Sequence, residues 1–170
     1  MHSRPGHGSR FTIGAARAAA VAEIVPIASE PARIGAPLAS ATVVCIDNEP
    51  DVLAGMEFML AGWGCRVIAA RDASDAIAAL DAAAAGAGEP QIPTIIVADY
   101  HLDHGTGVDA ILAIRARVNA DTPGVIVTAD HSPEVQRELR AMELTLLRKP
   151  LRAAALRAVL MQSMRRMAAE

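Results

Sequence analysis

The sequence is poor in aromatic residues: two phenylalanines, one tyrosine and one tryptophan in 170 residues. Any core must therefore be built from Ala, Val, Ile, Leu and Met. Cysteine is limited to Cys45 and Cys65, which lack metal-ligand spacing and give no disulfide framework. Both lie in apolar, strand-like runs and read as small buried hydrophobes, a usage that fits a reducing, cytoplasmic setting. No apolar run reaches membrane-spanning length. The start of the chain carries arginines and glycines but no signal-peptide core, so no membrane contact is expected. An excess of positive charge is missing too. The net charge is -3 and the pI about 5.9, which gives no sign of the basic face a nucleic acid would need. Arg152, Arg157, Arg165 and Arg166 suit the solvated side and C-terminal end of a last helix. What is present is a 52% hydrophobic content, enough for a useful core, in a length that suits one domain with an appendage.

Three regions follow from the pattern. Residues 1–22 hold a Gly-rich turn and a short strand-like run, Phe11 to Ile13. Residues 23–40, with Pro26, Pro31 and Pro37, show neither helical nor strand period and read as a linker. Residues 41–167 alternate apolar runs with helical periods. Thr42–Ile46, Cys65–Ala69, Thr94–Ala98, Val125–Thr128 and Thr145–Leu147 are the expected strands, short and rich in branched residues like buried parallel strands. Pro50 opens the first helix, which Gly62 and Gly64 stop. Trp63 between them reads as a packing residue. Asp72 or Ser74 caps the second helix, with Ile77 and Leu80 inward. The third carries Val108, Ile111, Leu112 and Ile114. Pro133 starts the fourth, with Val135 and Leu139 inward, and a fifth runs from about Arg152 to Met167.

Five strands alternating with five helices predict an α/β fold, a parallel sheet covered on both faces. Right-handed crossovers leave few topologies, and in such sheets ligands bind at the carboxyl ends of the strands. The first strand ends at Asp47, Asn48 and Glu49, the third at Asp99 and the fourth at Thr128, and the fifth leads to Lys149. Carboxylates gathered on one edge repel unless a cation sits among them, and Mg²⁺ prefers oxygen ligands while keeping some waters. The same set can transfer a phosphoryl group. Asp99 can be the nucleophile, a metal and Lys149 can neutralise charge on the transferring group, and Thr128 can hydrogen-bond a phosphoryl oxygen. Singly, each residue has an ordinary structural role as a helix cap, a turn or a strand end. Their succession after consecutive strands is what points to chemistry. His101, His104 and His131 fit no zinc signature and read as loop histidines.

The segments IDNEPDVL, VADYHLDHGTGVDAI, VIVTAD and LLRKPL resemble the receiver domains of response regulators and hybrid histidine kinases, over about Ala41 to Met164. The resemblance implies a flavodoxin-like, doubly wound five-stranded sheet of order 2-1-3-4-5. It implies Asp99 as phosphoacceptor, with Lys149 as the phosphate-pairing lysine and Thr128 as the switch hydroxyl. It further implies a Mg²⁺ site of Asp47, Asn48, Asp99 and the backbone carbonyl of His101, and a cis bond before Pro150. The donor would be a histidine kinase domain, in cis or in trans, and a histidine phosphotransfer protein could receive the group onward. Two positions depart from the family pattern. Asn48 stands where a second carboxylate and direct metal ligand is usual. Its amide oxygen can still coordinate, but the site loses a negative charge, and weaker Mg²⁺ affinity is expected unless Glu49 compensates through water. Leu146 stands where Tyr or Phe is usual, which puts the coupling of phosphorylation to the last face of the domain in doubt.

Gly6-x-Gly8-Ser9-x-Phe11 resembles the last glycine motif and following strand of a histidine-kinase ATP-binding domain, where glycines let the backbone approach nucleotide phosphates. The other nucleotide boxes and the phosphorylatable His helix are absent, so this chain alone is expected to be neither an ATP binder nor a complete kinase. A kinase ending, then a linker, then a receiver is the layout of the C-terminal part of a hybrid histidine kinase, and implies a truncated or fragmentary reading frame. With no output domain after the last helix, direct DNA binding is not expected. The alternatives are a stand-alone response regulator acting by protein contact and a degenerate, phosphate-independent binding module.

Overall fold

The computed structural model of the chain describes residues 2–4, 8–10, 38–88, 90–130 and 132–167. The chain divides into two compact units, Met1–Ala32 and Arg33–Glu170. Within the first, β1 (His2–Arg4) pairs antiparallel with β2 (Gly8–Arg10), placing Arg4 opposite Gly8. A strand was expected only from Phe11. Phe11 to Ile13, and residues 23–37 of the expected linker, lie outside the described residues. Gly8 itself lies in a paired strand rather than in a turn.

The second unit holds β3 (Thr42–Ile46), α1 (Pro50–Gly62), β4 (Arg66–Ala70), α2 (Ala73–Ala87), β5 (Ile95–Asp99), α3 (Gly107–Arg117), β6 (Gly124–Thr128), α4 (Pro133–Ala141), β7 (Thr145–Arg148) and α5 (Ala153–Met167). The sheet order is β4-β3-β5-β6-β7, all neighbours parallel. Counted within the sheet this is 2-1-3-4-5, the flavodoxin-like order. The expected strands are all present, some displaced by one residue at an end.

Side-chain alternation sorts the core into two layers. Val43, Cys45, Ile95, Val97, Val125 and Val127 face one way, packed with Leu53, Met56 and Leu60 of α1 and Leu156 and Leu160 of α5. Val44, Ile46, Ile96, Ala98 and Ile126 face the other way, against Leu80 of α2, Ile111 and Ile114 of α3, and Val135 and Leu139 of α4. Both cysteines are buried and free. Burial pushes the Cys45 thiol up to about 12, with the charge of Glu57 next in effect, so it is an inert core group.

Local signals account for most helix ends. Asp72, not Ser74, caps α2, its side chain accepting the Asp75 N–H. Thr106 and Asp109 form a capping box at α3, satisfying orphan donors in both directions. Three details differ from expectation. Leu38, assigned to the linker, is fully buried in the α1/α5 layer. Leu112 keeps the apolar helical spacing but is 41% exposed. Arg157 lies over the Trp63 ring at 5.7 Å rather than on a wholly solvated face, and Trp63 packs as expected against the α1/α5 layer.

Candidate functional site

Register brings the polar residues together. Ile46 pairs with Ala98, Asp99 with Val127, and Thr128 with Arg148, so the carboxyl ends of β3, β5, β6 and β7 lie side by side. Along their strands Asp47, Asp99 and Lys149 continue the parity of the residues that face α1 and α5. Thr128 continues the opposite parity. Asp47, Asp99 and Thr128 are buried at 6%, 8% and 1% exposure, which is costly for carboxylates without partners.

The partner is Lys149, the one lysine in the chain. Its Nζ lies 2.8 Å from Asp99 Oδ1 and 3.8 Å from Asp47 Oδ2. Burial alone would lower the Lys149 pKa, but the hydrogen bond and charge of Asp99, with the charges of Asp47 and Glu49, hold it above the ordinary lysine value. The Asp47 carboxyl is raised, first by burial and further by the charges of Asp99 and Glu49, against the lowering effects of the Glu49 N–H and Lys149. That N–H donates to Asp47 Oδ1 at 2.9 Å. The Glu49 side chain is exposed and makes no capping hydrogen bond at the start of α1. Two buried carboxylates against one ammonium leave net negative charge at the edge.

Thr128 is tied at both ends of its residue: its carbonyl accepts the Lys149 N–H at 2.9 Å and its Oγ1 accepts the Asp130 N–H at 3.0 Å. The Lys149–Pro150 peptide is cis. Beside these groups an apolar cleft of about 410 Å³ reaches from Asp99 and Lys149 down to Cys45, Met56 and Met59.

The donor chemistry fits a hard divalent cation. Asp47, Asp99, the amide of Asn48 and the backbone of His101 offer oxygen, which Mg²⁺ prefers. The backbone ladder here uses the carbonyl of Tyr100, which accepts the Gly107 N–H at 3.0 Å, and not that of His101. Among the described residues no three His, Cys, Asp or Glu side chains converge on one point. His101 and His104 are exposed, as expected of loop histidines, and His131 lies outside the described residues.

Three residues escaped the sequence reading. Asn48 Nδ2 donates to Asp103 Oδ1 at 2.8 Å, bringing a further carboxylate to the amide. Tyr100, next to Asp99, donates its hydroxyl to Glu138 Oε2 of α4 at 3.0 Å. Its pKa is raised by that hydrogen bond first and by burial second. Leu146, which stands where the family usually has an aromatic ring, packs half-buried on the same layer as Tyr100. Gly107 is the third. A methyl there would overlap the Asp99 carbonyl oxygen, so only glycine lets α3 start against the end of β5. No local pattern marks the first two, because their partners lie 55 and 38 residues away.

Comparison with known proteins agrees with the fold of the second unit. Residues 43–161 match the response regulator receiver domain family. No curated protein matches the chain. Among solved structures, the Vibrio cholerae chemotaxis protein CheY4 is similar at 25% identity, covering 72% of this chain and 98% of that one, with a TM-score of 0.61. A two-component response regulator from Clostridium difficile matches at 20% identity over 75% of this chain and 98% of its own, TM-score 0.64. The Francisella response regulator 1452 receiver domain matches at 19% identity over 75% and 99%, TM-score 0.62.

Proposed function

The chain belongs to the response regulator receiver domain family, and from that premise we propose that Asp99 accepts a phosphoryl group from a phosphohistidine in a two-component relay. The observation that carries this reading is Asp99 itself, buried at the carboxyl end of a central strand with the Lys149 ammonium 2.8 Å from its Oδ1. An Asp99 carboxylate oxygen attacks phosphorus opposite the leaving nitrogen. The P–N bond breaks, the imidazole leaves with the bonding pair and takes up a proton, and an acyl phosphate forms. Lys149 neutralises charge on the phosphoryl oxygens. Thr128, whose Oγ1 accepts from Asp130, keeps its own proton to donate to a phosphoryl oxygen. Asp47, Asp99, the Asn48 amide oxygen and the His101 carbonyl would hold Mg²⁺, which supplies positive charge against those same oxygens when bound. The added charge on Asp99 then biases the surface that partners read.

The donor is a histidine kinase domain, in cis or in trans, and a histidine phosphotransfer protein is the onward acceptor. The order of glycine motif, Pro-rich segment and receiver supports an origin in a hybrid histidine kinase, working in the cytoplasm. Among the described residues no helix is long and apolar enough to cross a membrane.

Phosphoramidate, whose P–N bond stands in for phosphohistidine, tests the donor chemistry. With Mg²⁺ it gives the wild type one hydroxylamine-labile phosphoryl group and Asp99→Ala none. Equal labelling of both proteins refutes the assignment. For the parentage, sequencing the genomic DNA upstream decides. An in-frame kinase coding region supports the hybrid origin, and an in-frame stop codon shortly before the first codon supports the stand-alone regulator.

A further inference from the structure

We propose that Asp103 is a positioning residue for the Mg²⁺ site, restoring through Asn48 what the site loses by having an amide in place of a second carboxylate. The inference rests on the metal reading above. Asp103 lies in the loop between β5 and α3, and its Oδ1 accepts from Asn48 Nδ2 at 2.8 Å across 55 residues of sequence. An ionised carboxylate only accepts hydrogen bonds, so the amide must present its NH₂ to Asp103. The carboxamide is planar, and its oxygen is thereby turned to the other side. Without that partner the amide can present either end, and an NH₂ aimed at a cation would repel it. The bond thus selects the ligating orientation.

Asp103 also supplies charge. A hydrogen bond to an ionised acceptor polarises the amide and increases the negative character of its oxygen. The carboxylate adds one formal charge, one hydrogen bond removed from Asn48. Asp47 and Asp99 are already partly offset by Lys149, so this charge is not redundant. Glu49 does not fill the role by a direct bond: its backbone N–H serves Asp47, and its side chain makes no cap bond. Groups that orient and polarise a metal ligand commonly govern affinity by 10–100-fold.

The test measures metal binding alone. Mn²⁺ is titrated into the full chain by electron paramagnetic resonance of the free ion, with Mg²⁺ as competitor, and circular dichroism checks that each variant is folded. Asp103→Ala is expected to weaken binding about tenfold. In the Asn48→Asp background, where a carboxylate ligand needs no orienting acceptor and only the through-space charge of Asp103 is lost, Asp103→Ala is expected to cost clearly less than it does beside Asn48. A wild type that binds with Asp103→Ala within twofold of it overturns this inference and leaves the metal reading standing. An equal loss in both backgrounds also overturns it, because Asp103 would then be acting on the loop and not through Asn48. A wild type that binds no Mn²⁺ removes the metal reading itself.

Discussion

The acceptor edge and the α4 side of the same sheet hold their polar groups in different ways. At the acceptor edge Lys149 is paired with both Asp99 and Asp47, and Thr128 is bound at its carbonyl and hydroxyl. On the α4 side, Leu146 packs without a polar atom. The long-range side-chain tie from the strand end is the Tyr100–Glu138 bond, and α4 buries only Val135 and Leu139. Phosphoryl transfer needs charges at fixed places, because preorganised electrostatics supplies most of the rate. Transmission needs only two packings of similar energy, which different side chains can provide. On the proposed function, Asp99, Thr128 and Lys149 keep the family pattern, while the metal edge departs from it at Asn48 and the α4 side at Leu146.

The comparison can be broken first at its strongest point. Lys149→Ala leaves two buried carboxylates without their shared cation and, on the proposed function, removes the charge that meets the phosphoryl oxygens. Phosphorylation of Asp99 from a small-molecule donor is expected to slow by about 10²–10³-fold, measured as the initial rate of mass gain. Gly107→Ala comes next. Its methyl collides with the Asp99 carbonyl, and overpacking against backbone should lower unfolding stability by about 2–3 kcal/mol, read from urea midpoints. A neutral outcome would mean that the β5–α3 junction is loose.

Smaller effects sharpen the contrast. Tyr100→Phe removes one partly buried hydrogen bond and should cost about 0.5–1 kcal/mol. Hydrogen exchange should rise in α4 while the acceptor edge stays protected. Protection lost at both would contradict the separation. The smallest effect is that of pH. The Lys149 pKa is raised in the folded state. Its stabilising contribution is therefore complete below the unfolded lysine value and is lost as pH rises through the folded one. The Asp47 carboxyl is raised too, so its ionisation opposes stability above the carboxylate range, and acidification through that range relieves the cost. Urea midpoints should fall for the wild type above about pH 10 and fall less for Lys149→Met. With the Lys149 side chain 31% exposed, solvent screens much of this contribution.

Much of the fold was legible in the sequence because buried parallel strands read as continuous branched runs, and the proposed site residues stand at or just after their ends. Strand ends were less legible because pairing decides them. Thr94, expected to open the third strand, uses its hydroxyl to accept the Thr42 N–H at 3.0 Å and precedes β5. Leu38 was hidden by its Pro- and Ala-rich surroundings, although it is fully buried. Asn48 and Leu146 stood out as departures, but what surrounds them did not. Asp103 and Tyr100 act through partners distant in sequence, which only the closed sheet brings near.

The central claim is tested most directly by intact mass spectrometry after incubation with acetyl phosphate and Mg²⁺. The account predicts one added phosphoryl group on the wild type, located to Asp99 by peptide mapping and absent from Asp99→Ala. No adduct on the wild type from acetyl phosphate or from a cognate kinase, or an adduct that persists in Asp99→Ala, would contradict it.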